Sequence, residues 1–244
     1  FVRLVRSFLT DRSTTLLVDG VEIAPHQLKA GVLQGSLLSP ILFLFYNAPL
    51  LETLNKPDLP LSLLRFANNI NMLTYKELIQ LNCKTLETAH EHCLDWAHTH
   101  GMKFALQKYT LTHFTRRREA DLQAQVQLQG TTIEPKPTVR ILGLLLDTKL
   151  QWRAHEKATQ AKMRTQMLAL QRTTASTWGA SMPKSRQIYQ AVVRSALSYG
   201  AAIWHRPATK AKGLAAKLRI EQNQGLRAVL GAFKATPTCQ LETE

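Results

Sequence analysis

The chain has 244 residues, 45% of them hydrophobic, which supplies one large core or two modest ones and argues against disorder throughout. Three cysteines, Cys83, Cys93 and Cys239, are too few and too irregularly spaced for a disulfide framework or a zinc ribbon, and they point to a reducing compartment. The formal charge of +14 is uneven: residues 1–150 carry 16 Lys or Arg against 13 Asp or Glu, residues 151–244 carry 15 against 4, so +11 of the excess lies in the second stretch. Such a surface suits a phosphate backbone, with a solvated basic helix face as the plainer alternative.

In chain order, Val2, Leu4, Val5, Phe8 and Leu9 recur at helical spacing, and the β-branched run Thr14 to Val18 predicts a strand that turns at Asp19-Gly20 and returns over Val21 to Ala24. Lys29 to Ser36 is a glycine-punctuated loop. From Pro40, the residues Ile41, Leu42, Phe43, Leu44, Phe45 and Leu50 predict a buried helix entered through Ser39 and Pro40. The apolar run stops at Tyr46-Asn47, well short of the ~20 residues that cross a membrane, so no membrane partner is expected.

Pro57, Asp58 and Pro60 break the chain before Leu61 to Phe66, and Ile70 to Tyr75 is the matching strand across an Ala67-Asn68-Asn69 corner. Leu78, Leu81, Thr85, Ala89, Cys93 and Trp96 or Ala97 predict a long amphipathic helix ending near Gly101. Phe104, Tyr109, Leu111 and Phe114 suggest a strand. Alternation through Gln123, Gln125, Gln127 and Gln129 suggests a surface strand, and Val139 to Leu146 another, bent at Gly143. From Trp152 the texture turns helical, carried by Ala158, Met167, Leu170, Ile188, Val192, Ala196, Leu214, Leu218, Leu226 and Val229. The fold class is α+β, with a boundary near Leu150 that divides a strand-containing part, 1–150, from a basic helical part, 151–244.

His90, His92, Cys93, His98 and His100 crowd one helix. Residues two apart on a helix point in different directions and no Cys-x-x-Cys pair accompanies them, so polar-face histidines over a buried Cys93 are expected rather than a zinc site. Trp96, Trp152 and Trp178 are expected between helices. The chain opens on Phe1 and Val2 without a starting methionine or a basic leader, which suggests a piece of a longer reading frame.

Four ordered motifs then bring a resemblance into view. Gly31-Val32-Leu33-Gln34-Gly35-Ser36-Leu37-Leu38-Ser39-Pro40, the Phe66-Ala67-Asn68-Asn69 corner, His100-Gly101-Met102-Lys103-Phe104 through Lys108, and Leu142-Gly143 match in order and interval. Together with Ser198-Tyr199-Gly200 and Trp204, they resemble the reverse transcriptases of non-long-terminal-repeat, LINE-like retrotransposons over nearly the whole chain. The resemblance implies a polymerase palm with an antiparallel sheet and packed helices in 1–150, and a helical thumb or connection in 151–244. It implies an RNA template and a DNA primer as partners, with Mg2+ or Mn2+ as the cofactor of the intact family.

Residue by residue, the resemblance assigns Gln34, Gly35 and Ser36 to contact with nucleotide and template, although Leu37 stands where the family usually has proline. Lys108 falls where a lysine lies near the nucleotide phosphates, with a solvated loop lysine as the alternative. Leu142 and Gly143 correspond to the primer grip. Arg164, Arg172, Lys184, Arg186 and Arg194, with Lys210, Lys212, Lys217, Arg219 and Arg227, would hold a duplex by its backbone.

The departure from the family is at the hairpin corner, where two adjacent aspartates are replaced by Asn68 and Asn69. Two-metal phosphoryl transfer needs anionic oxygens, and an amide oxygen is neutral. No adjacent Asp pair occurs anywhere in the chain. In the family a further metal-binding aspartate comes from a strand that would precede Phe1, and Asp11 and Asp19 are both explained by turns. The expectation is therefore a reverse-transcriptase segment without polymerase activity and without a metal of its own. Its rivals are a domesticated nucleic-acid-binding protein and a subunit that takes its carboxylate from another chain.

Overall fold

The computed structural model describes residues 1–54, 60–117, 122–173, 178–204, 214–233 and 235–243. It is a mixed α+β chain whose sheets, among the described residues, are small antiparallel pairs with helices packed beside them. Two compact units form: residues 1–107 with 126–131, and residues 108–125 with 132–244. The change of texture at residue 150 falls inside the second unit. Of the residues singled out above, Pro57, Asp58, Lys210 and Lys212 lie outside the described residues, as do the side chains of Leu214 and Lys217.

The first unit opens with α1 (Val2–Leu9), none of whose side chains is buried. The expected strand over Thr14 to Val18 is two pieces: β1 (Ser13–Thr14) pairs with β4 (His26–Gln27), and β2 (Leu17–Val18) pairs with β3 (Val21–Glu22). Asp19 and Gly20 both adopt left-handed conformations, φ 49° and 81°, as a type I′ hairpin turn requires. The next helix, α2 (Leu38–Tyr46), begins two residues before Pro40 and is not buried as expected. Ser39 is its one buried residue, and Phe45 is 70% exposed. A segment apolar on every side carries no period that could tell its packed face from its open one.

The core of this unit is built by α3 (Ala48–Leu54), the hairpin β5 (Leu61–Phe66) and β6 (Asn69–Thr74), and α4 (Ile79–Thr99). Leu50, Leu54, Leu61, Ala89, Cys93, Trp96 and Ala97 are buried together, with Leu63, Ile70, Met72, Met102 and Phe104 against them. In the β5–β6 register Leu61 faces Thr74, Leu63 faces Met72 and Arg65 faces Ile70, so one face of the ladder lies on the core. The opposite face carries Leu64 and Phe66. Helix α4 runs unbroken because no Gly or Pro interrupts it, and it stops at Gly101, φ 63°. There Gly101 N–H donates to the His98 carbonyl and Met102 N–H to Ala97 at 2.8 Å, a Schellman closure sealed by Met102 on the core. The unit ends with β7 (Val126–Leu128), where Gln127 N–H donates to Glu87 Oε1 at 2.7 Å.

Several strand expectations change. Residues 104–114 form a 3-10 turn at Leu106–Lys108 and an irregular run that touches Pro135 through an isolated bridge at Leu111. The alternating glutamine segment is a strand only over Val126–Leu128, followed by β8 (Thr131–Ile133). The stretch from Val139 to Leu146 is a hairpin, not one bent strand: β9 (Thr138–Ile141) and β10 (Leu144–Asp147) pair in register Ile141 to Leu144, with Leu142-Gly143 as the corner.

In the second unit Asp147 joins this hairpin to α5 (Arg153–Thr173). Its carboxylate accepts from the backbone N–H of Lys149, Gln151 and Arg153 at 3.1, 2.9 and 3.2 Å, satisfying donors that the helix start leaves open. The short connection places Leu150 and Trp152 at positive φ, 51° and 64°. Helix α5 buries His155, Thr159, Met163, Met167 and Leu170 at helical spacing. Beside it a continuous helical stretch runs through α6 (Met182–Ile188), a π-helical turn (Tyr189–Arg194) and α7 (Ser195–Ser198), followed by α8 (Ala201–Trp204), α9 (Leu214–Leu230) and α10 (Thr238–Thr243). Met163, Met167, Leu170, Tyr189, Val193, Leu218 and Val229 form the second core. On α9, Gly225 admits this packing: a Cβ there would lie 2.7 Å from the Tyr189 ring. Trp178, expected between helices, is 63% exposed.

Candidate functional site

In the first unit the candidate residues sit on two features, the hairpin corner and the loop before α2. Ala67 and Asn68 make the two-residue turn, Ala67 at φ 49°, and Asn69 pairs with Phe66. Both Asn side chains are exposed, and neither makes a hydrogen bond within the described residues. The corner is tied down by Arg65, which the sequence did not single out. Its guanidinium donates to the Ala67 carbonyl at 3.3 Å, Leu44 at 3.4 Å and Phe43 at 3.0 Å, and it lies 5.8 Å from the Phe43 ring. Two of those carbonyls belong to the last turn of α2, where orphan acceptors and the negative dipole end favour a cation. Burial lowers the Arg65 pKa, and the guanidinium stays charged.

The Gln34-Gly35-Ser36 loop enters α2 directly. Gly35 has φ 88°, and Gln34 and Gly35 are exposed. Ser36 Oγ accepts from Leu38 N–H at 3.3 Å, and Ser39 Oγ donates to the Leu33 carbonyl at 2.6 Å, so two serines close the loop on the helix start. The loop is thus fixed by its own chain, with the Gln34 side chain at the surface.

Lys108, Leu142, Gly143 and the basic residues belong to the second unit. Lys108 ends the 3-10 turn and is exposed. Leu142 and Gly143 take φ 48° and 87°, and the Tyr199 hydroxyl donates to the Leu142 carbonyl. Arg172, Lys184, Arg186 and Arg194 are exposed on α5, α6 and the π-helical turn. Arg164 has other work: it donates through Nε and a terminal nitrogen to Glu221 Oε1 at 3.1 and 2.8 Å, joining α5 to α9. Glu221 is 7% exposed, so its charge is paired with this guanidinium and Arg164 is already engaged.

His90 corrects the expectation of polar-face histidines. It is buried near Phe104, and desolvation lowers its pKa against the opposing pull of Glu91. His100 stacks on Trp96 at 4.3 Å, its Nδ1 2.8 Å from the Trp96 carbonyl, while its own carbonyl accepts from the Tyr46 hydroxyl. Cys93 is buried as expected, and desolvation pushes its thiol up to about 12, which removes it from nucleophilic chemistry. Among the described residues no group of three or more His, Cys, Asp or Glu is arranged to hold a metal ion, and no helix is long and apolar enough to cross a membrane. The donor set at the corner, two neutral amides, does not fit the pair of divalent ions the resemblance implies.

Arg65, Glu221 and Tyr199 are what sequence reasoning missed. Arg65 and Glu221 act through partners 21 to 57 positions away, which no local period reveals. Tyr199 lies within the Ser198-Tyr199-Gly200 motif, and its contact with the Leu142-Gly143 corner, 57 positions away, has no local signal.

Comparison with known proteins supplies the remaining finding. The chain is 25% identical over 234 residues to "Probable RNA-directed DNA polymerase from transposon BS" of Drosophila melanogaster, covering 93% of this chain and 25% of that protein. It is 26% identical over 235 residues to "RNA-directed DNA polymerase from mobile element jockey" of the same fly, and 22% identical over 229 residues to "Probable RNA-directed DNA polymerase from transposon X-element". The chain spans about a quarter of the length of these relatives. No family model matches it, and no solved structure matches it. At this distance the chain is a remote homologue of transposon-encoded reverse-transcriptase-like proteins.

Proposed function

We propose that this chain is a segment of a non-long-terminal-repeat retrotransposon reverse transcriptase that does not polymerise nucleotides. Residues 1–150 are the palm part, and residues 151–244 are a basic thumb or connection. The observation that carries the reading is the exposed Asn68-Asn69 corner, set where the resembling family has paired aspartates. Divalent ions held against phosphates need anionic ligands, and Asn supplies none, so no catalytic step is assigned here. Gln34, Gly35 and Ser36 are the remnant of the nucleotide and template loop, Lys108 of the phosphate lysine, and Leu142-Gly143 of the primer grip.

A primer-extension assay with Mg2+ or Mn2+ on an RNA template tests the loss of chemistry. No incorporation is expected from the unaltered chain, and any would overturn the reading. A version extended upstream of Phe1 and carrying Asn68→Asp and Asn69→Asp asks whether the scaffold regains it.

The exposed Arg172, Lys184 and Arg194, with few acidic residues around them in sequence, favour a second reading: a non-catalytic nucleic-acid-binding protein that kept the basic face. Affinity for an RNA–DNA hybrid across a salt series decides between them. Sub-micromolar binding that weakens steeply with salt favours the binder.

A further inference from the structure

The hairpin corner Leu142-Gly143 is held by more than its own turn. The Tyr199 hydroxyl donates to the Leu142 carbonyl, and a Cβ on Gly143 would lie 3.1 Å from the same tyrosine ring. Gly200 reciprocates: at φ 66°, a Cβ there would lie 2.6 Å from Leu144 Cδ2. Trp204 Nε1–H donates to the Tyr199 carbonyl at 2.9 Å, and the Trp204 ring lies 6.4 Å from His155, whose Nδ1 is 3.5 Å from Leu145 N. Four successive positions, 142 to 145, are thus each met by residues 199–204 or by His155.

A turn of this type does not need such support. The corners at Asp19-Gly20 and Gln129-Gly130 adopt the same pair of left-handed conformations, and nothing lies within 4 Å of where a Cβ on Gly20 or Gly130 would be. What the contacts add is direction, since they fix how the corner projects from α5 and α8. They do so while Leu142 remains 49% exposed and Tyr199 52% exposed.

We propose that Tyr199, Gly200 and Trp204 are positioning residues, a latch that presents the Leu142 side chain and the Gly143 backbone to the 3′ end of a nucleic-acid strand. This rests on the proposed reading of Leu142-Gly143 as the remnant of a primer grip. The Tyr199 hydroxyl is the adjustable part, because its loss leaves the ring on Gly143 while releasing the Leu142 carbonyl. Trp204 holds Tyr199 in turn.

The test uses the full chain and two variants, Tyr199→Phe and Trp204→Phe, with two readouts. The first is amide hydrogen exchange. Tyr199→Phe is expected to speed exchange at residues 143–145 about fivefold, the size of one net hydrogen bond, and to leave the protected amides of α9 unchanged. The second is the ratio of affinities for an RNA–DNA hybrid with a recessed 3′ end and for one closed at both ends by loops. That ratio is expected to fall severalfold in both variants, with binding to the closed hybrid unaltered. Unchanged exchange in both variants overturns the latch, whatever nucleic acid does. Faster exchange with an unchanged ratio overturns the positioning role, because a purely structural contact would weaken both complexes alike. If the unaltered chain binds neither hybrid, the nucleic-acid reading and the strand-end role fail together, while exchange still decides the latch.

Discussion

The two hairpin corners that carry the family resemblance are built in opposite ways. Ala67-Asn68 uses an L residue at φ 49° with no glycine, projects free polar side chains, and is fastened from one side by Arg65 on the carbonyls of α2. Leu142-Gly143 uses glycine where the Tyr199 ring comes close, and its Leu142 carbonyl accepts from the Tyr199 hydroxyl. The first corner presents two exposed neutral amides and, among the described residues, no confining neighbour, so under the proposed reading an amide in place of a carboxylate changes what it can bind and not how it is shaped. The second depends on closeness, so the same kind of small change would disturb its shape first.

The largest effect is expected at the confined corner. Gly143→Ala adds a methyl 3.1 Å from the Tyr199 ring at φ 87°, which should cost about 2–3 kcal/mol of stability; denaturant unfolding followed by the fluorescence of Trp152, Trp178 and Trp204 would measure it. Ala67→Gly should run the other way. It relieves an L residue in a left-handed turn and loses little packing at an exposed tip, for a gain of about 0.5–1 kcal/mol on the same denaturation axis. Loss of stability in Ala67→Gly would mean that this corner, too, is held by contacts.

The smallest difference is a dependence on pH. Burial lowers the pKa of His155, so the unfolded chain binds the proton more readily than the native one. Stability from the neutral ring is therefore full above about pH 6.5, the unfolded value, and is lost as pH falls through the depressed folded value. His90 in the other unit has the same sign. His155→Phe should flatten the acid side of the stability profile, with the remaining slope belonging to His90 and other groups; a slope identical to that of the unaltered chain would contradict the assignment.

How far the sequence could be read depended on the range of the interaction. The β5–β6 hairpin and the α4 helix were legible because a two-residue period, a three-to-four-residue period and a terminal glycine are local signals. The run from Phe104 to Phe114 reads as a strand in sequence because aromatic residues at uneven spacing fit a strand as well as they fit an irregular segment pinned by Lys136 N–H on the Leu111 carbonyl. The single strand expected over 139–146 became a hairpin because one glycine within an apolar run marks a bend and a corner equally well.

By itself the sequence determined the charge asymmetry, the amphipathic helices and the absence of an adjacent Asp pair, because charge and local period belong to residues and not to their partners. Tertiary structure alone decided that Arg164 is engaged by Glu221, that Arg65 anchors the Asn corner, and that Tyr199 and Gly200 close on the other. Each of these needs two segments far apart in the chain to come within a few ångströms, a condition that no single stretch of sequence encodes.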